Sequence, residues 1–251
     1  SDKNKNARLT YQTNYGDMPE GDITKVDTKD IPPFDVLCGG FPCQSFSIAG
    51  KQRGFADPRG QMIFEIIRIA KYHNPKILFL ENVANMVRHD DGRTLASIVE
   101  LLENLGYNVN YKVLAANDFG CATIRKRIYF VCFRNDLNVN FSFPEPFESD
   151  VAVEDYLEHD VDEHYFLDLD SVTFYKPDTT ERVKNTYRMG YIGNLRKGGR
   201  IGQGQRVYSV KGLAPTFVAS SRDVAGGTEG YYIDGRVRKL TPNEARSEER
   251  R

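Results

Sequence analysis

Two hydrophobic rhythms alternate along the first half of this chain. Phe34-Asp35-Val36-Leu37 and Lys76-Ile77-Leu78-Phe79-Leu80 are short, mostly apolar runs with the length of buried strands. Gln61 to His73 instead spaces Met62, Ile63, Ile66, Ile67, Ile69 and Ala70 as a helical stripe. Thr94 to Leu105 does the same with Leu95, Ile98, Leu101 and Leu102, and Gly106 is placed to stop it. Tyr107 to Ala115 and Ile128 to Phe133 suit two further strands. Strand, helix, strand, helix, strand predicts a parallel α/β sheet. The rhythm is lost from Asn135 to Pro146, which reads as an exit from that sheet. Asp170 to Thr180 is weakly periodic. From Arg188 to Val237 glycines are frequent and helical runs absent, so a small, loop-rich β module is expected there. The expected division is 1–146 for the α/β part, 147–187 as a connection, 188–237 as the module and 238–251 as a partial return ending in a charged tail.

Composition narrows this picture only a little. At 251 residues, 40% hydrophobic and 27% charged, the chain is an ordinary globular sequence with material for a sizeable core. No apolar run approaches the roughly 20 residues that span a bilayer, so no membrane partner is expected. The polar start, Ser1 to Asn6, carries no secretory pattern. Cys38, Cys43, Cys121 and Cys132 form neither a CxxC pair nor a zinc pattern, which excludes a metal site from the expectations and points to a reduced, cytoplasmic protein. Charge changes the picture more, through its placement. Glu145 to Asp170 holds acids and no Lys or Arg. Arg182 to Arg222 holds Arg182, Lys184, Arg188, Arg196, Lys197, Arg200, Arg206, Lys211 and Arg222 and no acid. Such a basic stretch can neutralise phosphates, although a solvated charged face gives the same composition.

In open α/β sheets, ligands sit where strands deliver their carboxyl ends. After Leu37 comes Cys38-Gly39-Gly40-Phe41-Pro42-Cys43-Gln44; after Leu80 comes Glu81-Asn82-Val83; before the later strand comes Arg125-Lys126-Arg127. Taken singly, each has an ordinary explanation. Free cysteines are commonly packing, and Cys38, Cys121 and Cys132 are read so. A strand-end glutamate is commonly a cap or ion-pair partner, and arginines are commonly surface charge. Cys43 differs, because Pro42 stiffens the chain before it and a polar, glycine-bearing loop follows. Together at one sheet edge these groups describe a nucleophile with an acid and cations beside it.

Phe41-Pro42-Cys43-Gln44, Glu81-Asn82-Val83 and Arg125-Lys126-Arg127-Ile128-Tyr129, followed by Arg238-Lys239-Leu240-Thr241-Pro242-Asn243-Glu244, resemble the ordered signature blocks of DNA cytosine-5 methyltransferases of the bacterial restriction-modification type. The resemblance runs to about Ala245. It implies a mostly parallel, Rossmann-like methyltransferase sheet with a smaller target-recognition module. It also implies S-adenosylmethionine as cofactor, double-stranded DNA as partner and methyl transfer to C5 of a flipped cytosine. By resemblance Cys43 is the thiolate that adds to C6, Glu81 donates at N3, and Arg125 and Arg127 are catalytic, with Arg127 holding O2. Asp2, Asp22, Ile23 and Pro42 fall at cofactor-binding positions. Gln44, Ser45, Ser47, Lys51 and Arg59 belong to a segment that closes over DNA, and Gln203 and Arg206 to the base-reading segment, since Gln pairs with adenine and Arg with guanine in the major groove.

The chain departs from the family at Thr123, where many members have glutamine, and after Glu244-Ala245, where Arg246-Ser247-Glu248-Glu249-Arg250-Arg251 reads as a frayed tail. The family's first strand with its glycine-rich loop, and its last helix, are not found. The expectation is therefore an incomplete sheet with an open cofactor pocket, active alone or with a complementing chain that carries those blocks. Two rival expectations are an inactive DNA-binding fragment and a relative that methylates cytosine-5 in transfer RNA.

Overall fold

The computed structural model describes residues 1–41, 62–193, 200–216 and 229–248. It divides into two compact units, Ser1–Val113 with Arg127–Phe143, and Leu114–Lys126 with Pro144–Arg251.

The first unit opens with a helix that the apolar pattern does not announce. α1, Lys5–Tyr15, buries no residue. It is held at its ends: the Asn4 side chain accepts from the Asn6 and Ala7 amides, and Gly16 closes it at φ +86°. Four strands follow, β1 (Val36–Gly40), β2 (Ile77–Val83), β3 (Tyr107–Ala115) and, after the short β4 (Thr123–Ile124), β5 (Lys126–Arg134). They form one sheet in the order β1-β2-β5-β3. The two predicted helices are present as α2 (Met62–His73) and α3 (Arg93–Asn104), and Gly106 ends α3 at φ +90°.

One face of this sheet is core. Leu78 and Leu80 of β2 and Ile128, Phe130 and Cys132 of β5 are buried with Ile63, Ile66 and Ala70 of α2 and Leu95, Ile98 and Leu102 of α3. Alternation along the strands puts Phe79, Glu81 and Val83 on the opposite face, where Phe79 stacks on Tyr129. Gly39 lets α2 lie against β1, since a Cβ there would meet Ile66 Cδ1 at 3.3 Å. Burial pushes the Cys132 thiol up to about 12, that of an inert packing cysteine. Cys38 departs from its expected packing role. It is exposed, because β1 lies at the end of the strand order and Cys38 falls on the face opposite the core.

The sheet is mixed rather than uniformly parallel. β1 and β2 run parallel, but β5 runs antiparallel to β2. β3 and β5 are neighbours, and the connection between them is too short for a crossover helix, so the chain turns back. Pairing of Val83 with Arg127 also carries β2 through Glu81-Asn82-Val83, which the sequence places just beyond the strand.

The second unit contains a six-stranded sheet in the order β6-β12-β11-β9-β8-β7. Its strands are β6 (Phe166–Leu167), β7 (Val172–Phe174), β8 (Arg188–Ile192), β9 (Arg206–Ser209), β11 (Gly230–Ile233) and β12 (Arg236–Arg238). β10 (Ala214–Pro215) pairs instead with β4. The weakly periodic stretch Asp170 to Thr180 thus supplies the edge strand β7 and the acidic stretch before it the edge strand β6, both too short to show alternation. Val153, Tyr208, Val210, Ala214, Tyr231 and Leu240 form the core of this unit. The last helix, α4 (Pro242–Glu248), occupies the start of the expected charged tail. It begins with a capping box: the Thr241 hydroxyl accepts from the Glu244 amide, and the Glu244 carboxylate accepts from the Thr241 amide.

Candidate active site

Three strand ends build the site in the first unit. β1 and β2 are parallel, so both deliver their carboxyl ends to one edge, and antiparallel β5 begins at that same edge. The register sets Gly40 beside Glu81, and Val83 beside Arg127. Glu81 and Arg127 therefore project from the same face of adjacent strands, and Arg127 Nε lies 2.7 Å from Glu81 Oε1. A charge-assisted contact of this length fixes the direction of both groups. Gly40 keeps the space beside the acid open, because a Cβ there would stand 3.6 Å from Glu81 Oε2. Phe41, buried, is the last described residue before Pro42 and Cys43.

Asn82 is a part of this edge to which the sequence reading gave no role. It points into the core face, 2% exposed. Its Nδ2 donates to the Phe41 carbonyl at 2.6 Å, and its Oδ1 accepts from the Val83 amide at 2.8 Å. One carboxamide thus ties the exit of β1 to the strand that carries Glu81. The available signal was a polar residue at a position whose alternation partners, Leu78 and Leu80, are core. Asn82→Ala is expected to lower stability by about 1–3 kcal/mol, as the carbonyl and amide lose a buried partner. Denaturant unfolding reads this, and an unchanged midpoint would mean the two bonds contribute nothing.

At the start of the chain, Asp2 is anchored: its amide donates to the Glu20 carbonyl, and its carboxylate accepts from the Asn4 amide. Asp22 caps the short turn Ile23–Lys25, accepting from the Thr24 amide and hydroxyl, and pairs with Lys3 at 3.2 Å. The Thr24 hydroxyl and amide and the Lys3 ammonium hold the Asp22 carboxyl below its usual value against some desolvation. The Lys3 contact brings the segment bearing Asp2 to Asp22 and half-buried Ile23. The Ile23 carbonyl accepts from Arg68, which also grips Glu65, so α2 fixes this turn.

In the second unit, the segment before the two arginines is stitched to the module. The Ala214 amide donates to the Ala122 carbonyl, and the Thr216 hydroxyl to the Ile124 carbonyl. Thr123, which replaces the expected glutamine, is 1% exposed and its hydroxyl lies 3.4 Å from the Pro215 carbonyl. The backbone of Arg125 is bonded on both sides, its carbonyl to the Ala116 amide and its amide to the Thr123 carbonyl. The Gln203 side chain donates to the Thr216 carbonyl at 2.6 Å, and half-buried Arg206 opens β9.

The separation of charge along the sequence partly closes on itself. Glu154 receives Lys211 at 2.7 Å and Arg182 at 2.8 Å; Arg182 also grips Asp155, and Lys184 reaches Glu148. Burial alone would raise the Glu154 carboxyl, but Lys211 and Arg182 more than offset it and hold it low. Among the described residues, Arg182, Lys184 and Lys211 of the basic stretch are thus paired with acids of the unit. Pro42, Cys43, Gln44, Ser45, Ser47, Lys51 and Arg59 lie outside the described residues. Among the described residues no helix is long and apolar enough to cross a membrane, and no group of acids, histidines and cysteines has the spacing to hold a metal ion.

A family model described as C-5 cytosine-specific DNA methylase matches residues 1–247. Type II methyltransferase M.HhaI of Haemophilus parahaemolyticus is 45% identical over 242 residues, which are 96% of this chain and 72% of that protein. Type II methyltransferase M.SsoII of Shigella sonnei is 48% identical over 170 residues, 66% of this chain and 45% of that one. The solved structure of the S. pombe Dnmt2 methyltransferase shares the fold with a TM-score of 0.67 at 18% identity, covering 98% of this chain and 77% of that chain. A family model spanning nearly the whole sequence, with a relative 45% identical across almost all of it, places the chain in the C-5 cytosine-specific DNA methylase family.

Proposed function

We propose that this chain carries the catalytic chemistry of a restriction-modification methyltransferase, transferring a methyl group from S-adenosylmethionine to C5 of a cytosine flipped out of duplex DNA. The observation that carries this reading is the Glu81–Arg127 pair at the sheet edge from which β1 leads to Cys43. Cytosine C5 is a poor nucleophile. When the Cys43 thiolate forms a bond to C6, the ring electrons move toward N3 and O2, and C5 gains enamine character. Glu81 supplies the proton or hydrogen bond at N3, and Arg127 offsets the charge gathering at O2. C5 then takes the methyl group and gives its proton to a base; the C6–S bond breaks to free the Cys43 thiolate, and the N3 proton returns to Glu81. A base inside the helix cannot reach such a site, hence flipping.

The donor supplies an electrophilic methyl group when bound. The residues described fit its nucleoside end in kind: Asp2 is a carboxylate able to accept from ribose hydroxyls, and Asp22 and Ile23 offer a polar and an apolar contact for the adenine. Pro42 completes the assigned set. Arg125 is assigned to the catalytic edge. Gln44, Ser45, Ser47, Lys51 and Arg59 are assigned to DNA, with Gln203 and Arg206 as base readers. For Gln203 the reading requires its carboxamide to leave the Thr216 carbonyl.

The test is transfer of a labelled methyl group from S-adenosylmethionine, with duplex DNA and transfer RNA offered as separate acceptors. Label entering duplex DNA at C5 of cytosine is the expected result. Label entering only transfer RNA would replace the substrate, and duplex binding without transfer would leave a DNA-binding protein.

A further inference from the structure

The contacts assigned to the adenine stand on a turn with no core of its own. Ile23–Lys25 and the turn after it, Thr28–Asp30, bury no residue. Hydrogen bonds hold them. Within the first turn the Lys25 amide donates to the Asp22 carbonyl at 2.9 Å, and the Val26 amide to the Ile23 carbonyl at 3.2 Å. Bonds this local set the shape of a turn but not its place. Its place comes from α2. Arg68 Nη2 donates to the Ile23 carbonyl at 3.1 Å, across 45 residues of sequence. His73 Nε2 stands 2.8 Å from the Thr28 carbonyl and ties the next turn to the same helix.

Arg68 is itself fixed. Its Nε and Nη2 donate to one Glu65 oxygen at 2.9 and 2.7 Å, one turn back along α2. A planar guanidinium held on two of its nitrogens has its other N–H directions set, and one of them meets Ile23. α2 in turn is seated by buried Ile63, Ile66, Ile69 and Ala70, and Gly39 lets β1 lie against Ile66. β1 is the strand that leads to Cys43, and its Gly40 lies beside Glu81. Contacts running from Ile23 through Arg68 and Ile66 to β1 therefore tie the adenine turn to the sheet that carries Glu81 and Arg127.

We propose that Arg68 is a positioning residue for the methyl donor, fixing Asp22 and Ile23 to α2 in the place where they meet the adenine of S-adenosylmethionine. The proposal rests on the reading of Asp22 and Ile23 as adenine contacts. It follows because a turn without buried side chains moves more freely once its tie to the helix is cut, and binding must then restore the lost order. A donor held off its place also transfers its methyl group more slowly.

Two measurements on the full chain separate the positioning from the reading. In the first, deuterium uptake across residues 22–26 is followed without ligand in the wild type and in Arg68→Met. Faster uptake in the variant is expected, and equal uptake overturns the proposal while leaving the adenine reading in place. In the second, binding of S-adenosylhomocysteine and of adenosine is measured by calorimetry for wild type, Arg68→Met and His73→Ala. Arg68→Met is expected to weaken both ligands about tenfold, the size of one lost hydrogen bond to a charged group. Adenosine carries only the nucleoside end, so a loss confined to S-adenosylhomocysteine overturns the proposal. His73→Ala removes the neighbouring tie and is expected to leave both affinities unchanged; an equal loss there would mean general loosening and also overturns it. If Arg68→Met does not fold, Arg68→Lys takes its place, with a smaller loss expected and unchanged affinity counting against. Uptake that rises while neither affinity moves would mean that Arg68 holds a turn the donor does not touch. The adenine reading of Asp22 and Ile23 then falls, and the proposal with it.

Discussion

Glu81→Gln is expected to slow methyl transfer by about 10²–10⁴-fold, the range for loss of a positioned general acid, while duplex binding is unchanged. The substitution is nearly isosteric, so the edge formed by β1, β2 and β5 stays in place. What changes is the proton. A carboxyl group can give one to N3 as electrons arrive from the C5–C6 bond; an amide can only hydrogen-bond. Arg127 is 2.7 Å from the carboxylate and would keep a neutral oxygen to bind, so the loss should fall on turnover rather than on affinity. Cys43→Ser supplies the floor, since a serine hydroxyl is not ionised at neutral pH and cannot open the same route. Single-turnover transfer to a saturating duplex, alongside equilibrium binding, reads both. Turnover by Glu81→Gln equal to that of the wild type would remove Glu81 from the mechanism.

The second large effect is on stability and lies away from the chemistry. Arg238 and Glu244 are 2% and 1% exposed, and they meet through two hydrogen bonds of 2.7 and 2.6 Å. Glu244 also accepts from the Thr241 and Glu158 amides, both at 2.7 Å. Removing one partner strands the other charge in the core, at a cost of about 3–5 kcal/mol. Arg238→Met and Glu244→Ala are each expected to lower unfolding free energy by that amount, and the double variant by less than the sum. Acid should do the same gradually. Desolvation pushes the Glu244 carboxyl up, but Arg238 and the two amides more than compensate, and its value lies below the ordinary 4.5. A carboxyl with a depressed folded value stabilises fully above the unfolded value, and that contribution is lost as pH falls through the folded one. Denaturant midpoints should therefore drop below about pH 4.5, and less steeply in the double variant. Equal acid sensitivity in both proteins would locate the titration elsewhere.

Local pattern carried much of the first unit. α2, α3, β1, β2, β3 and β5 all lie where apolar spacing puts them, because each buries one face against a single core and so must show its period. α1 and the edge strands β6 and β7 bury too little, or are too short, to leave such a mark. Caps and neighbouring strands hold them instead, and neither produces a hydrophobic rhythm.

At the site, the sequence by itself determined the chemistry available: a cysteine after a strand, an acid, two arginines, and motifs whose order identifies the family. The tertiary structure decided how two of them, Glu81 and Arg127, meet. Only the reversed direction of β5 brings Arg127 to Glu81, because a parallel strand would have started at the opposite edge. The folded chain also turns Asn82 inward to hold Phe41 and closes part of the basic stretch onto its own acids. These are relations between residues far apart in the chain. They follow from strand register and burial, which no local window of sequence contains.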